Sequence, residues 1–385
     1  MFSSRFHWDP APNRLTRLLA EKRRAGADIL DLTESNPTRA GLSYPVEIVQ
    51  ALADPRALRY DPQPAGSLDA REAVCRYYAD AGYTIAPDRV LLTASTSEAY
   101  QYLFKLLADP GDEVLVPRPS YPLFEFLANM ESLRVVSYPL VYHGAWSIDC
   151  DALAAAVTDR TRAIVLVNPN NPTGSFLKRD ELQFLQSRGL PLISDEVFAD
   201  YAFGEDTQRV RTLAGAAEAL AFSMSGLSKI AGLPQMKLGW IVISGPAAAA
   251  AEAKDKLEWI ADTYLSVSTP VQQAAPRLLE LGKGIQSQIA ARVRANLAWL
   301  QSAIAAGSPC RTLAVEGGWY ATLQVPRIRR EEEWVLELLA EDNVMVQPGF
   351  FFDFESEAFL VLSLLTPPET FREGCRRLLA RMDTA

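Results

Sequence analysis

Histidine is nearly missing from this chain: His7 and His143 are the only two among 385 residues. Neither has a second histidine at metal-ligand spacing, so a zinc centre is disfavoured, and Ser-His-Asp or Cys-His chemistry would rest on one of these two. Cysteine is scarce as well. Cys75, Cys150, Cys310 and Cys375 are scattered without a CxxC pair, which argues against a disulfide framework and for buried thiols in a reducing compartment. Positive charge is in deficit, with 38 Lys and Arg against 47 Asp and Glu and a formal net charge of −9. With no basic cluster, nucleic acid and anionic membrane surfaces are poor candidate partners. The opening segment "MFSSRFHWDPAPNR" lacks the apolar core of a signal peptide, and no run of about 18 apolar residues offers a membrane span. Cytoplasm is the expected location. If the protein is an enzyme, lysine becomes the candidate proton carrier.

What is present is enough apolar content, 49%, for two or three domains' worth of core. Helical and strand patterns alternate through the first two thirds. Ser67 can cap a helix over "LDAREAVCRYYADAG", followed by the strand "RVLLTAS", a helix over "SEAYQYLFKLLAD" and the strand "EVLVP". "RVVSYPL", "RAIVLVN", "LPLISDE", "LAFSMS" and "LGWIVIS" are further short apolar runs suited to buried strands, with the helix "KRDELQFLQSR" among them. The alternation predicts an α/β fold: a mostly parallel sheet between helices, with ligands at the carboxyl ends of its strands. After about Gly245 long helical stretches take over. They are followed by the strands "GGWYATLQV" and "FLVLSLL", so a smaller α+β domain is expected to close the chain.

Four clusters fall at predicted strand ends or in loops. In "TASTSEAY", Ser95, Thr96 and Ser97 open a helix directly after a strand. Hydroxyls and free N–H groups there suit a phosphate, although Ser and Thr also serve as plain N-caps. In "NPNNPTGS" two Asn-Pro steps force a turning backbone that either aims an asparagine at a ligand or simply stiffens a loop. In "ISDEVF", Asp195 and Glu196 end an apolar strand, where a carboxylate needs a cationic or hydrogen-bonding partner. In "SGLSKIAGLPQMKLGW", Lys229 and Lys237 lie eight residues apart without a nearby acid, as two cations around one anionic ligand would.

The order of these clusters resembles the fold type I pyridoxal-phosphate aminotransferases, the class I/II family. The likeness runs from "YDPQPAG" to "VMVQPGFFF", nearly the whole chain. The NPTG loop with Asn171, an Asp 24 residues later and an SK lysine 34 residues after that are jointly specific. The resemblance implies a large cofactor-binding domain over residues 45–281 and a smaller α+β domain from 1–44 and 282–385. Pyridoxal 5′-phosphate is the implied cofactor, and an amino donor and a 2-oxo acid are the implied substrates. By the same resemblance Lys229 forms the Schiff base and carries the proton, and Asp195 pairs with the pyridinium nitrogen. Asn171 donates to the ring's O3′, and Tyr121, in "PSYP", stacks on the ring. Ser95, Thr96 and Ser97 hold the phosphate together with Lys237, which stands where the family usually has arginine. Tyr60 reaches the phosphate from a neighbouring subunit, so a homodimer is implied.

Several positions depart from the family pattern. A hydroxyl usual three residues before the lysine is replaced by Gly226, with Ser225 and Ser228 beside it as candidate substitutes. A tyrosine that bonds O3′ is replaced by Phe198; Tyr201 is either its compensation or an ordinary surface residue. The arginine that clamps the substrate α-carboxylate is replaced by Val361, two residues before Ser363. Arg39 in "ESNPTRAG", with Asn36 near it, and Arg118 are the candidate replacements. The missing arginine leaves a second reading open: a lyase or decarboxylase, or a transaminase for a donor without the usual α-carboxylate. A ligand-sensing regulator on the same fold is disfavoured, because no basic recognition helix precedes the pattern.

Overall fold

The computed structural model describes residues 2–6, 8–9, 11–304 and 307–384; His7 lies outside the described residues. Eight strands build the main sheet: β1 (Val90–Thr93), β2 (Glu113–Arg118), β3 (Arg134–Tyr142), β4 (Trp146–Ile148), β5 (Thr161–Val167), β6 (Leu192–Asp195), β7 (Ala221–Gly226) and β8 (Gly239–Ser244). Their order across the sheet is β1-β8-β7-β6-β5-β2-β3-β4. The pairings from β7 through β6, β5 and β2 to β3 are parallel. β8 runs antiparallel to both β1 and β7, and β4 runs antiparallel to β3. Central strands such as β7 and β8 are buried at every position, as strands covered on both faces must be. Helices Thr96–Leu107 and Ala247–Tyr264 cover one face through Leu103, Phe104 and Leu257.

A second sheet of four strands is antiparallel: β9 (Arg311–Thr312), β10 (Tyr320–Gln324), β11 (Gln347–Pro348) and β12 (Phe359–Ser363), in the order β9-β10-β12-β11. The N-terminal Leu30–Asp31 pairs in parallel with Val344–Met345, and Ser363 N donates to Leu32 O, so the arm is stitched to this sheet. The 35-residue helix Thr269–Ala303 runs unbroken through residues 281 and 282, where the expected domain boundary falls. Ser67 does start the helix Leu68–Asp80, but its hydroxyl makes no capping bond and is buried without a partner. Of the four free thiols, Cys310 and Cys375 are buried while Cys75 and Cys150 are half-buried. Among the described residues, no helix is long and apolar enough to cross a membrane.

The topology gathers the chemistry. β1, β2, β5, β6 and β7 all end on one edge of the sheet, and the segments leaving those ends hold Ser95, Tyr121, Asn171, Asp195 and Lys229. The antiparallel β8 enters from that same edge, directly after Lys237.

Candidate active site

A cavity of about 290 Å³ opens at this edge of the sheet. Its walls include Ser95, Thr96, Ser97, Tyr121, Asn171, Asp195, Phe198, Ser228, Lys229 and Lys237, residues far apart in the chain. A larger surface cleft of about 680 Å³ lies around Asp200, Arg211 and Lys283. It holds none of the residues that the sequence pattern singled out, and Asp200 there is already satisfied by Tyr77, Gln286 and Arg211.

At one end of the cavity, the helix Thr96–Leu107 begins with Ser95 in an extended conformation as its N-cap. Ser95 Oγ accepts from Glu98 N at 3.2 Å, so this hydroxyl serves as a cap while the first-turn N–H groups of Thr96 and Ser97 remain free for an anion. Glu98 turns back to accept from Ala94 N at 2.6 Å and Ser266 Oγ at 2.6 Å, which fixes the turn. Lys237 stands beside this end in a left-handed conformation (φ 53°), exposed and without an acidic partner among the described residues.

At the other end Asp195 terminates β6 and Lys229 sits in the short helix Leu227–Ile230. Burial pushes the Asp195 carboxyl up to about 6, against the opposing pull of Val197 N, Tyr100 and the Lys229 charge. Burial lowers the Lys229 amine, partly countered by Asp195. Its Nζ lies 5.2 Å from the Trp319 ring centre and 5.9 Å from that of Phe198, two rings that help to shut it off from water. A carboxylate lacking a full partner and an amine with a depressed pKa therefore share one cavity.

The NPNNPTGS loop is both stiff and aimed. Asn168 is consumed by Val210 O and Leu177 N, and Asn170 by Pro119 O and Thr173 Oγ1. Asn171 alone is left facing the cavity: its Oδ1 is buried without a partner, and its Nδ2, the atom that would donate to a ring oxygen, makes no hydrogen bond among the described residues. An orphaned amide, an under-partnered carboxylate and a capped helix start with a free lysine beside it are complementary to an aromatic ring that carries a phosphate, a ring N–H and a phenolic oxygen. The donor set thus fits pyridoxal phosphate.

Other expected residues lie elsewhere. Arg39 pairs with Glu34 at 3.3 Å, has a side chain 67% exposed and does not line the cavity. Asn36 spends its Oδ1 capping Thr38 N and Oγ1, so the residue of that segment reaching the cavity is Ser35, one position earlier. Arg118 points to Asp353 O and Glu355, away from the cavity. Val361 is fully buried among Trp146, Leu313, Phe352, Phe354 and Phe359. Ser225 is buried with an unpartnered hydroxyl and does not reach the cavity, whereas Ser228 does. Tyr201 is not a surface residue: it is fully buried and donates to Lys229 O at 2.6 Å, so its phenol is already engaged. Tyr60 is 74% exposed and lies outside this cavity within the protomer.

Gly226 has a packing reason. A Cβ there would stand 2.9 Å from both Gly239 Cα and Leu238 O, because β7 and β8 approach closely where they frame the cavity. Gly226→Ser is expected to push these strands apart and weaken cofactor retention roughly tenfold or more, as overpacking by about 1–3 kcal/mol would. Cofactor content after dialysis measures it, and unaltered retention would show that the strands yield.

The sequence reading missed Ser35, Tyr100 and Tyr320, which also line the cavity. Tyr100 could have been found, since it lies on the same helix one turn beyond Ser97. Tyr320 has no such signal, because only folding carries β10 to this edge.

Residues 27–378 match the family profile described as "Aminotransferase class I and II". The chain is 27% identical over 367 residues to a tyrosine aminotransferase of Bos taurus, covering 91% of this chain and 81% of the relative. It is 29% identical to an alanine aminotransferase of Mycobacterium bovis, covering 92% and 85%. A solved alanine aminotransferase from Pyrococcus furiosus superposes with a TM-score of 0.88 at 25% identity, with full coverage of both chains.

Proposed function

We propose, for a chain that belongs to the class I and II aminotransferase family, that the cavity between Ser95 and Lys229 is its catalytic site. The protein is an enzyme, a pyridoxal-phosphate-dependent aminotransferase that moves an amino group from an amino donor to a 2-oxo acid. When bound, the cofactor supplies an aldehyde to take the amino group and a ring that acts as an electron sink for the Cα–H bonding pair.

In this reading Ser95, Thr96 and Ser97 hold the phosphate through the helix start, with Ser228 and Lys237 beside them. Lysine offers a point charge rather than the planar fork of arginine, so the phosphate is neutralised but positioned less rigidly. Tyr121, 47% exposed on the cavity wall, lies against the ring face. Asn171 donates to the ring oxygen, and Asp195 accepts from the ring nitrogen. Lys229 is the covalent anchor and takes the proton from the donor's Cα on its Nζ; its lowered pKa supplies the neutral amine that a base requires. Phe198 offers no hydrogen bond to the ring oxygen, so Asn171 carries that contact without a phenol beside it. The observation that carries the proposal is the buried Asp195 and Lys229 converging on a cavity whose opposite end is a helix N-terminus.

The proposed unit is a homodimer. Exposed Tyr60 and Leu265 line a groove with Tyr102, on which the exposed Tyr264 stacks, and a second copy would cover this patch. Tyr60 of that copy would then reach the phosphate. The proposed division places residues 45–281 in the cofactor-binding domain and 1–44 with 282–385 in the smaller one, the helix Thr269–Ala303 crossing between them. Four scattered cysteines and a formal net charge of −9 support a cytoplasmic location.

A panel of amino donors, scored by the absorbance change as the bound cofactor takes the amino group and reversed by adding a 2-oxo acid, tests the function. Donor-driven change without reversal would overturn transamination in favour of a lyase or decarboxylase. Arg39→Ala in the same assay is expected to leave every donor within about twofold, because an exposed ion pair contributes only about 0–1 kcal/mol. A loss confined to donors bearing an α-carboxylate would instead make Arg39 their clamp.

A further inference from the structure

The side chain that orients Asp195 lies on the helix whose start would hold the phosphate. Tyr100 is fully buried in Thr96–Leu107, and its phenol donates to Asp195 Oδ2 at 3.3 Å. No other side-chain hydrogen bond to this carboxylate occurs among the described residues. Oδ1 is met by the backbone N–H of Val197, also at 3.3 Å. Tyr100 also lines the cavity, and its ring is held edge-on by Phe124 at 5.6 Å and against Phe104 at 5.9 Å. One helix therefore bears on both ends of the site: its first turn on the anion end, and its second turn on the acid that terminates β6.

We propose that Tyr100 is a positioning residue that holds Asp195 ionised and turned toward the cofactor's ring nitrogen. The proposal rests on the reading of Asp195 as that nitrogen's partner. A phenol donates to a carboxylate far better than to a carboxylic acid, so the bond opposes the protonation that burial favours. Burial beside Asp195 drives the Tyr100 phenol well above its ordinary range, so it stays a donor at every working pH. The charged and titratable groups bearing on this pair are few. Lys229 faces Asp195 from the turn after β7, and Tyr138 bears on Tyr100 from β3. Glu196, though adjacent in sequence, is turned away to Thr212, Leu213 and Ser223.

Tyr100→Phe removes the hydroxyl and leaves the ring contacts with Phe104 and Phe124. The readout is the dissociation constant of pyridoxal phosphate from the holoenzyme, by equilibrium dialysis between about pH 5.5 and 8.5. In the parent protein, affinity falls on the acid side as Asp195 of the emptied site takes a proton. In Tyr100→Phe this acid limb is expected to move up by about one pH unit, giving roughly fivefold weaker binding near pH 6 and nearly equal binding near pH 8.5. Asp195→Asn is expected to lack the limb, and adding Tyr100→Phe to it should change nothing further. A uniform loss at every pH, or a loss that persists beside Asn at 195, would mean that Tyr100 acts only by packing and would overturn the proposal. An unmoved limb would overturn it as well. If Asp195→Asn itself keeps the parent's affinity and limb, the pairing of Asp195 with the ring nitrogen fails, a result distinguishable from failure of Tyr100 alone.

Discussion

Lys229→Ala is expected to abolish transamination, lowering kcat by at least about 10³-fold, within the range for removing a general base and beyond it once the covalent anchor is lost. The fold should survive, because Lys229 makes no ion pair among the described residues and its backbone carbonyl still accepts from Tyr201. Some pyridoxal phosphate should still bind, held by the helix start at Ser95 and by Asn171 and Asp195. Borohydride reduction of the parent protein followed by peptide mapping should place the pyridoxyl group on Lys229. The eight-residue spacing makes Lys237 the control. Lys237 is exposed and stands at the anion end of the cavity. A label on Lys237 would sink the assignment of both residues, and so would full activity in Lys229→Ala.

Val361→Arg is expected to cost stability rather than restore a carboxylate clamp. The Val361 side chain is fully buried against Phe352, Phe354, Phe359, Trp146 and Leu313, with no acid among these neighbours. A guanidinium left unpaired in such surroundings costs about 3–5 kcal/mol. That loss should appear as a large drop in the urea midpoint with no gain in affinity for carboxylate-bearing donors. The opposite result, tighter donors with unchanged stability, would show that β12 can turn this position into the cavity and that valine merely omits the contact. Among the described residues the cavity's cationic side chains are Lys229 and Lys237, both of them assigned to the cofactor in the proposed reading. The neutral hydroxyls of Ser35 and Tyr320 occupy the remaining wall, and the donor's far end has to be recognised there or by a second copy of the chain.

Much of this was written in local pattern. Apolar-rich runs such as "RAIVLVN" and "LAFSMS" became the strands β5 and β7, because central strands covered on both faces are mostly apolar; Ser223 of β7 is accommodated by donating to Glu196. The spacing of Asn171, Asp195 and Lys229 was legible because each follows a strand, and parallel strands place their carboxyl ends on one edge. Side-chain direction was not legible, since it depends on what folding brings alongside. Asn36 and Arg39 carry suitable chemistry, but one is consumed by a local cap and the other by Glu34. Their modest neighbour Ser35 reaches the cavity instead. Tyr201 stands three residues from Phe198, yet it is drawn to the Lys229 carbonyl, a buried acceptor that no sequence pattern reveals. Gly226 reads in the sequence as a lost hydroxyl; only the approach of β8 shows that no side chain fits there. The sequence by itself determined the fold class, because that follows from periodicity, and it marked the residues proposed to bear the chemistry, because these stand near strand ends and match a family pattern. Tertiary structure alone decided which side chains stay free to act, because most buried polar groups find a partner and are no longer available to a ligand, whereas Asn171 keeps an Oδ1 without one.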